Sequence, residues 1–390
     1  MREGDGVAGT MRAAVLTDVR RIEVRDVALP ALRPDEVRVR VQAVGLCGTD
    51  LHIFAGHANY NRDARGRLRP LAESPQILGH EIAGVIEEAG AAVRAVAVGD
   101  RVVLDQGRNC RSEARAPLCE YCATGDSHQC ERYAEHGITG LPGGFAETIA
   151  VPAVNVVRLE SDLEPALATL TEPLGCIVHS THLVERVAAR YALRAADHAR
   201  RVRTVLIAGG GPSGLLFVQY LRNVVGFDGT LLVSEPNMLK RSLAERFGAE
   251  AIDPAAADLA EAVRERSGGR MAELLIEASG AGAVFAGIPE LIRKQATVLL
   301  YGHGHAGQDL SALNGVLFLE PALVASVGAS GGFEPDGRPT TYVRALGHLE
   351  AGRVEARPLI THPYTSIDAV PAAFGGDHAR ADYVKGVITL

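Results

Sequence analysis

Short apolar runs, divided by glycine, proline and aspartate, dominate the first 160 residues. MRAAVL (11–16), EVRVRVQAVGL (36–46), EIAGVIEEAG (81–90), DRVVL (100–104) and FAETIAVP (145–152) are rich in Val, Ile, Leu and Ala, and this predicts strands. The pattern changes near residue 165. Residues 165–195 space their apolar side chains by three and four among Ala, Leu, Arg, Glu and His, which predicts helices. From 204 onward strand and helix alternate. TVLIAGGG (204–211) reads as a strand entering a glycine turn, PSGLLFVQYLRNVV (212–225) as a helix and GTLLVSEP (229–236) as the next strand. MLKRSLAERFG (238–248) follows as a helix, then AELLIEASG (272–280), TVLLYGHG (297–304) and ALVASVGAS (322–330) as further strands. Alternation of this length implies a parallel, doubly wound sheet. The last 60 residues return to a mixed pattern and end in the strand-like YVKGVITL. The fold class is therefore α/β. A doubly wound cofactor domain (174–329) is expected between two parts of a β-rich domain (1–173 and 330–390).

Composition narrows the function classes. The chain has 390 residues, 47% of them hydrophobic, which fits a globular protein with two cores rather than disorder. A formal charge of −7 leaves no electrostatic footprint for nucleic acid. No apolar run approaches the roughly 18–20 residues that span a bilayer, so no membrane partner is expected. The opening MREGDGVAGTMRAAVL mixes both charges and lacks the apolar core of a signal peptide, which makes the cytoplasm the expected location. Met11 reads as the start of the first strand and residues 1–10 as a frayed tail. Among 40 basic residues, lysine occurs at 240, 294 and 385 alone, a bias that reads as codon usage rather than anion binding.

The glycine turn carries the first specific chemistry. Gly209, Gly211 and Gly214 form G-x-G-x-x-G between a buried-looking strand and a helix. In that context the first glycine makes the turn, the second lets a pyrophosphate approach, and the third lets helix pack on strand. Pro212 and Ser213 complete the helix N-terminus, which attracts phosphate. Glu235, 26 residues after Gly209, ends the next strand where a carboxylate would accept hydrogen bonds from the ribose hydroxyls. Such a carboxylate repels a 2′-phosphate, so NAD is favoured over NADP. Lys240 and Arg241 are placed to reach the adenosine ribose and pull the other way.

Six cysteines fall unevenly: four between 110 and 130, with Cys47 and Cys176 standing alone. In a reducing compartment such clustering points to metal. Cys47 lies in GLCGTDLH, His80 and Glu81 in ILGHEIAGVIEEAG, and Glu172 in TEPLGCIVH. A thiolate, an imidazole and a carboxylate from three distant segments can make a tetrahedral zinc site with one position open, as catalytic zinc requires. Zinc there would lower the pKa of an alcohol. Thr49 and His52 are suited to carry the proton away. For any one of these residues, packing in the core is the ordinary explanation. Their joint occurrence beside a dinucleotide turn is not.

GLCGTDLH, GHEIAGVIEEAG followed by VGDRV, EPLGCIVH and VLIAGGGPSG follow one another as in the zinc-containing medium-chain dehydrogenases, and the resemblance runs from about Met11 to the C-terminus. The chain looks most similar to the sorbitol and threonine dehydrogenase branch. The resemblance implies a GroES-like catalytic domain joined to a Rossmann domain. Cys47 and His80 would bind the catalytic zinc, and Glu81 would be a ligand in the resting or exchanging state. Glu172 stands where simple alcohol dehydrogenases carry a second cysteine, so it either ligates directly or acts through a water. Cys176 is the rival ligand. Cys110-x8-Cys119-x2-Cys122-x7-Cys130 is a candidate structural zinc lobe; the family pattern has x2 in the first gap, where this chain has RSEARAPL. A longer first loop costs little closure entropy, so about two zinc per chain are expected.

Two further segments exceed the family pattern. AGHANYNRDARGRLRPLAESPQ (55–76) is polar and reads as a border of the active-site mouth, a subunit contact or a solvated loop. ERVAARYALRAADHARRVR (185–203) reads as additional helix. The expected reaction moves a hydride between NAD and a secondary alcohol, with a polyol, sugar alcohol or cyclitol favoured. A threonine-type amino-alcohol dehydrogenase and a biosynthetic ketone reductase are the alternatives. A silent NAD-binding subunit is a fourth reading, against which the intact Cys47, His80, Thr49 and His52 set argues. The partners are thus a small alcohol or ketone and further copies of the chain, as homodimer or homotetramer, with ALVASVG able to continue a sheet across a two-fold axis.

Overall fold

A computed structural model describes residues 9–303 and 312–390. Residues 1–8 of the expected tail and Gly304 of the predicted strand 297–304 lie outside them. The chain forms two compact units. One gathers the chain up to Glu172 with Ser330–Glu350 and Ile360–Leu390; the other holds Pro173–Ala329 and Ala351–Leu359.

The elements that place the candidate site are numbered along the chain. They begin with β1 (Glu36–Gly45), α1 (Gly48–Phe54), β2 (Glu81–Ala89), β3 (Arg101–Leu104), β4 (Thr148–Pro152), β5 (Val156–Arg158) and α2 (Thr171–Arg186). Then come β6 (Thr204–Ala208), α3 (Pro212–Tyr220), β7 (Thr230–Ser234), α4 (Met238–Arg246), β8 (Glu250–Ile252) and α5 (Leu259–Arg266). The series closes with β9 (Ala272–Glu277), α6 (Gly282–Leu291), β10 (Ile292–Leu300), β11 (Ala322–Ala325), α7 (Thr340–Glu350), β12 (Ile360–Thr365) and β13 (Lys385–Thr389).

In the first unit the main sheet runs β5-β3-β2-β1-β13-β12, with β4 also paired to β1. Alternation in EVRVRV sorts its faces: Val37, Val39 and Val41 are buried while Arg40 is exposed. These valines join Leu78, Ile82, Phe145, Val370 and Phe374 in one core. A smaller sheet of Thr10–Asp18, Arg21–Ala28 and Gln76–Ile77 stands apart.

In the second unit the order is β8-β7-β6-β9-β10-β11, all parallel. The strand that comes first in this unit along the chain is thus central and the order reverses beside it, as in doubly wound nucleotide-binding sheets. TVLIA is buried along its whole length, as a parallel strand covered on both faces must be. The helix over 212–225 is α-helical to Tyr220 and widens to a π turn over Leu221–Val225.

One expectation fails. The helix predicted to run on through 185–203 stops at Arg186, and residues 187–203 are irregular. Tyr191, Leu193 and Val202 are its buried positions, and their spacings of two and nine do not make a helical stripe. The Asp197 carboxylate accepts from Ala199 N at 2.8 Å, so a local turn competes with helix. Within the 55–76 insertion, Arg62 and Leu68 bridge a turn whose arginines are exposed, and buried Asn61 donates to Ser74 Oγ at 3.0 Å. No helix of the described residues is long and apolar enough to cross a membrane.

Candidate metal centres and nucleotide turn

Two strand ends build the first centre. Two residues after β1, Cys47 takes the N-cap position of α1, while His80 and Glu81 sit where β2 begins. Donor atoms of Cys47, His80 and Glu81 all lie within 4.8 Å of one another. A zinc ion bound at roughly 2.0–2.3 Å to each needs little adjustment of that spacing. The buried His80 Nδ1 has no hydrogen-bond partner and rests 3.4 Å from Asp50 Oδ1, an ion-pair contact. This donor set therefore fits the metal.

Asp50 is the brace of the centre. It is fully buried, and its two oxygens accept Cys47 N at 3.0 Å and Gly79 N at 3.1 Å, tying both ligand segments together. A carboxylate beside a ligating histidine also fixes ring orientation and raises ligand basicity. Burial works against charge on His80, but Asp50 and Cys47 outweigh it and the pKa of the metal-free ring is raised.

Glu81 faces a cation. Lys385, the first residue of β13, places Nζ 2.8 Å from Glu81 Oε1 and 2.7 Å from Oε2, with both side chains buried. Burial lowers the Lys385 pKa, but Glu81 and then Cys47 more than offset it, and the ammonium is stabilised. Gly45 makes room for the pair: a Cβ there would stand 1.9 Å from Glu81 Oε2. Thr49 and His52 lie on α1 just beyond Cys47, both half-buried. Glu172, in the first turn of α2, is buried and stands outside the set of three; its Oε1 accepts from Gln106 Nε2 at 3.0 Å. Cys176 is buried one turn further along α2.

The second centre is the four-cysteine lobe. Cys110, Cys119, Cys122 and Cys130 bring their sulfurs within 4.8 Å of one another, with Cys110–Cys130 at 3.7 Å and Cys119–Cys130 at 3.9 Å. Zinc at ~2.3 Å from four sulfurs sets them about 3.8 Å apart, while a disulfide would need ~2.05 Å. None of the six cysteines is in a disulfide. Backbone N–H groups of Cys122 and Glu131 point at the Cys119 sulfur and hold its pKa down to about 6. Burial raises those of Cys122 and Cys130. A metal would reverse that cost by taking thiolates. The long first loop is anchored, since Glu113 is bridged by Arg108 and, at 3.3 Å, by Arg33.

In the second unit the glycine turn has the geometry its spacing implies. Gly209 adopts φ +109°, and Gly211 caps α3 with Pro212 as first helical residue. A Cβ at Gly214 would meet the Gly209 carbonyl oxygen at 1.9 Å, whereas one at Gly211 would meet nothing within 4 Å. Ser213 lies in the first turn of α3. Buried Glu235 accepts Gly210 N at 2.7 Å and Asn237 N at 2.9 Å, which locks the turn to the end of β7. Gly209, Gly211 and Glu235 line a cavity of about 590 Å³ together with Lys240 and Ser279. The Arg241 guanidinium donates to the carbonyls of Glu235 and Pro236 and pairs with Asp253 at 2.9 Å.

Asp50, Lys385 and Gln106 escaped sequence reasoning. Asp50 had a signal, standing three residues after the capping position. Lys385 had one too, as a lysine inside an apolar strand. Gln106 had none.

The alcohol dehydrogenase GroES-like domain family matches residues 33–161, and the zinc-binding dehydrogenase family matches residues 212–340. L-threonine 3-dehydrogenase of Pyrococcus furiosus is 30% identical over 353 residues, 90% of each chain. D-arabinitol dehydrogenase 1 of Uromyces fabae is 29% identical over 86% of this chain and 85% of its own. A zinc-binding dehydrogenase of Sinorhizobium meliloti 1021, crystallised with NADP, superposes with TM-score 0.79 at 28% identity, covering 98% of this chain and all of that one. By its domains, its relatives and its ligand sets, the chain belongs to the zinc-containing medium-chain alcohol dehydrogenase family.

Proposed function

We propose that this zinc-dependent dehydrogenase oxidises a secondary alcohol of a polyol, sugar alcohol or cyclitol with NAD, or reduces the matching ketone. The meeting of Cys47, His80 and Glu81, braced by Asp50, carries the reading. Bound to this set, zinc would polarise an alcohol oxygen while nicotinamide, held by the glycine turn, accepts hydride. Thr49 Oγ1 would accept the alcohol proton as it passes its own hydroxyl proton on toward the ribose hydroxyls and His52, which would release a proton to solvent. Asp50 holds the ligand segments in register. Glu235 favours NAD because its buried carboxylate already faces the turn, where a 2′-phosphate would meet like charge. Lys240, in the same cavity, is the group that would moderate this preference.

A carboxylate at 172 in place of a second cysteine, and the arabinitol dehydrogenase relative, support a polyol. The 30% identity to a threonine 3-dehydrogenase supports an amino alcohol as the second reading. Strand β11 ends the parallel sheet with Leu323 and, just beyond it, Val327 half exposed, which suits pairing with a second copy in a homodimer or homotetramer. Six cysteines outside disulfides suit the cytoplasm.

The test is NADH formation at 340 nm against sugar alcohols, cyclitols, simple alcohols and amino alcohols, with NAD and NADP in parallel and with a zinc chelator. Chelator-sensitive turnover of polyols with NAD is expected. Turnover of L-threonine alone would transfer the assignment to the second reading.

A further inference from the structure

Lys240 and Arg241 are neighbours near the start of α4, yet they have different surroundings. Lys240 lines the cavity at the glycine turn and Arg241 does not. The Arg241 guanidinium is occupied by the protein itself. Its Nη1 donates to the Glu235 and Pro236 carbonyls at 2.9 and 2.7 Å, and its Nη2 stands 2.9 Å from Asp253 Oδ2.

Asp253 is placed to hold that pair. It directly follows β8, and its other oxygen, Oδ1, accepts Ala255 N at 3.0 Å. Its carbonyl accepts Ala256 N and Ala257 N, each at 3.1 Å. A carboxylate anchored by its own turn keeps a fixed direction, so Oδ2 stays on Arg241. Pro254, the next residue, lines the cavity.

The consequence is electrostatic. Of the charged residues that line the cavity, Glu235, Asp258 and Glu290 are acidic and Lys240 is basic. Arg241 is the second cation at the ribose end, because the carbonyls it holds belong to the segment whose carboxylate would meet the ribose. Arginine suits a 2′-phosphate better than any other side chain, by its charge and its planar fork. With Asp253 beside it the pair is close to neutral, and both Nη nitrogens are already engaged.

Resting on the reading of this turn as the seat of NAD, we propose that Asp253 is a positioning residue for coenzyme choice. By holding Arg241 it withholds the guanidinium from the 2′ position of the adenosine ribose. A 2′-phosphate then meets Glu235 with Lys240 alone among the cavity residues to offset it. Two carboxylates thus favour NAD: Glu235 repels the phosphate and Asp253 disarms the arginine that would bind it.

The experiment is titration of the purified zinc-loaded enzyme with NADH and with NADPH, followed by nucleotide fluorescence. Asp253→Asn keeps an oxygen for Ala255 N but loses the charge. NADPH should then bind roughly 10–100-fold more tightly, the range of a charge-assisted phosphate contact. NADH, which lacks the 2′-phosphate, should bind nearly as before. As competitors, adenosine 2′,5′-bisphosphate should follow NADPH and 5′-AMP should follow NADH. Adding Arg241→Met to Asp253→Asn should cancel the gain. Asp253→Ser, whose hydroxyl can also accept from Ala255 N, serves where Asp253→Asn does not fold. An unchanged NADPH-to-NADH ratio at this position, a gain that survives Arg241→Met, or wild-type binding of NADPH as tight as that of NADH would overturn the proposal. The parent reading fails separately, if neither NADH nor 5′-AMP binds the wild type.

Discussion

Gly214→Ala and Gly211→Ala separate the packing role of the glycine turn from its ligand role. At 214 the added Cβ would lie 1.9 Å from the Gly209 carbonyl oxygen. Ordinary contact needs more than 3 Å, so helix and turn must part by over about 1 Å. No flexible side chain can absorb this, because the obstacle is backbone and Gly209 is held at φ +109°. Overpacking of this kind costs about 1–3 kcal/mol. Displacing the helix N-terminus also spoils the phosphate seat, and a loss of 1.4–3 kcal/mol there corresponds to roughly 10–100-fold in cofactor affinity. At 211 a Cβ meets nothing within 4 Å, so the fold should melt as the wild type does. A methyl group would nonetheless stand where pyrophosphate comes closest. The expected pair is therefore weaker NADH binding and lower stability for Gly214→Ala, but weaker NADH binding alone for Gly211→Ala. Titration of protein fluorescence with NADH, beside thermal melts of the cofactor-free protein, reads both. Wild-type NADH affinity in Gly211→Ala would refute the placement of the phosphates at this turn.

Cys119→Ser should lower zinc from two ions per chain to one and reduce the melting temperature, by metal analysis and calorimetry; two ions retained would remove the lobe as a metal site. Lys385→Met strands the buried Glu81 carboxylate and should cost about 3–5 kcal/mol in urea unfolding, with unchanged stability counting against the pair. His136 is buried with Nδ1 donating to the Pro142 carbonyl at 2.8 Å, and burial pushes its pKa down to about 4. The unfolded ring binds a proton near pH 6.5 and the folded one does not, so about 3 kcal/mol of stability should drain away as pH falls from ~6.5 to ~4. His136→Gln should flatten that acid limb in pH-dependent melts, and an unchanged limb would contradict it. Leu323→Arg on the exposed edge strand should shift sedimentation velocity toward monomer if β11 pairs between copies.

Local signals carried most of what could be read from sequence. The G-x-G-x-x-G turn, its strand and its helix are contiguous, so every distance that matters is set within six residues. The four lobe cysteines were legible despite a longer first gap, because loop closure costs little and cysteine has few other uses in such a cluster. Legibility failed where a residue's role depends on distant segments. The segment 187–203 has helix-forming composition, yet Tyr191 is anchored by Arg293, 102 residues away. Lys385 and Glu81 are 304 residues apart, and Tyr342 and Gln106 are 236 apart.

The same distinction explains why the candidate metal ligands were visible and the residues packed against them were not. Cysteine and histidine are scarce and chemically committed, so a few of them in the right order already restrict the chemistry. Aspartate, glutamine, lysine and tyrosine are common surface residues, and only burial turns each into a functional choice. Asp50, Gln106 and Lys385 are all under 3% exposed, where an unpartnered polar group costs about 1–3 kcal/mol and an unpaired charge more. Asp50 bonds to the Cys47 backbone and stands against His80, Lys385 pairs with Glu81, and Gln106 donates to Glu172, so in each case it is a distant partner that makes the buried group tolerable.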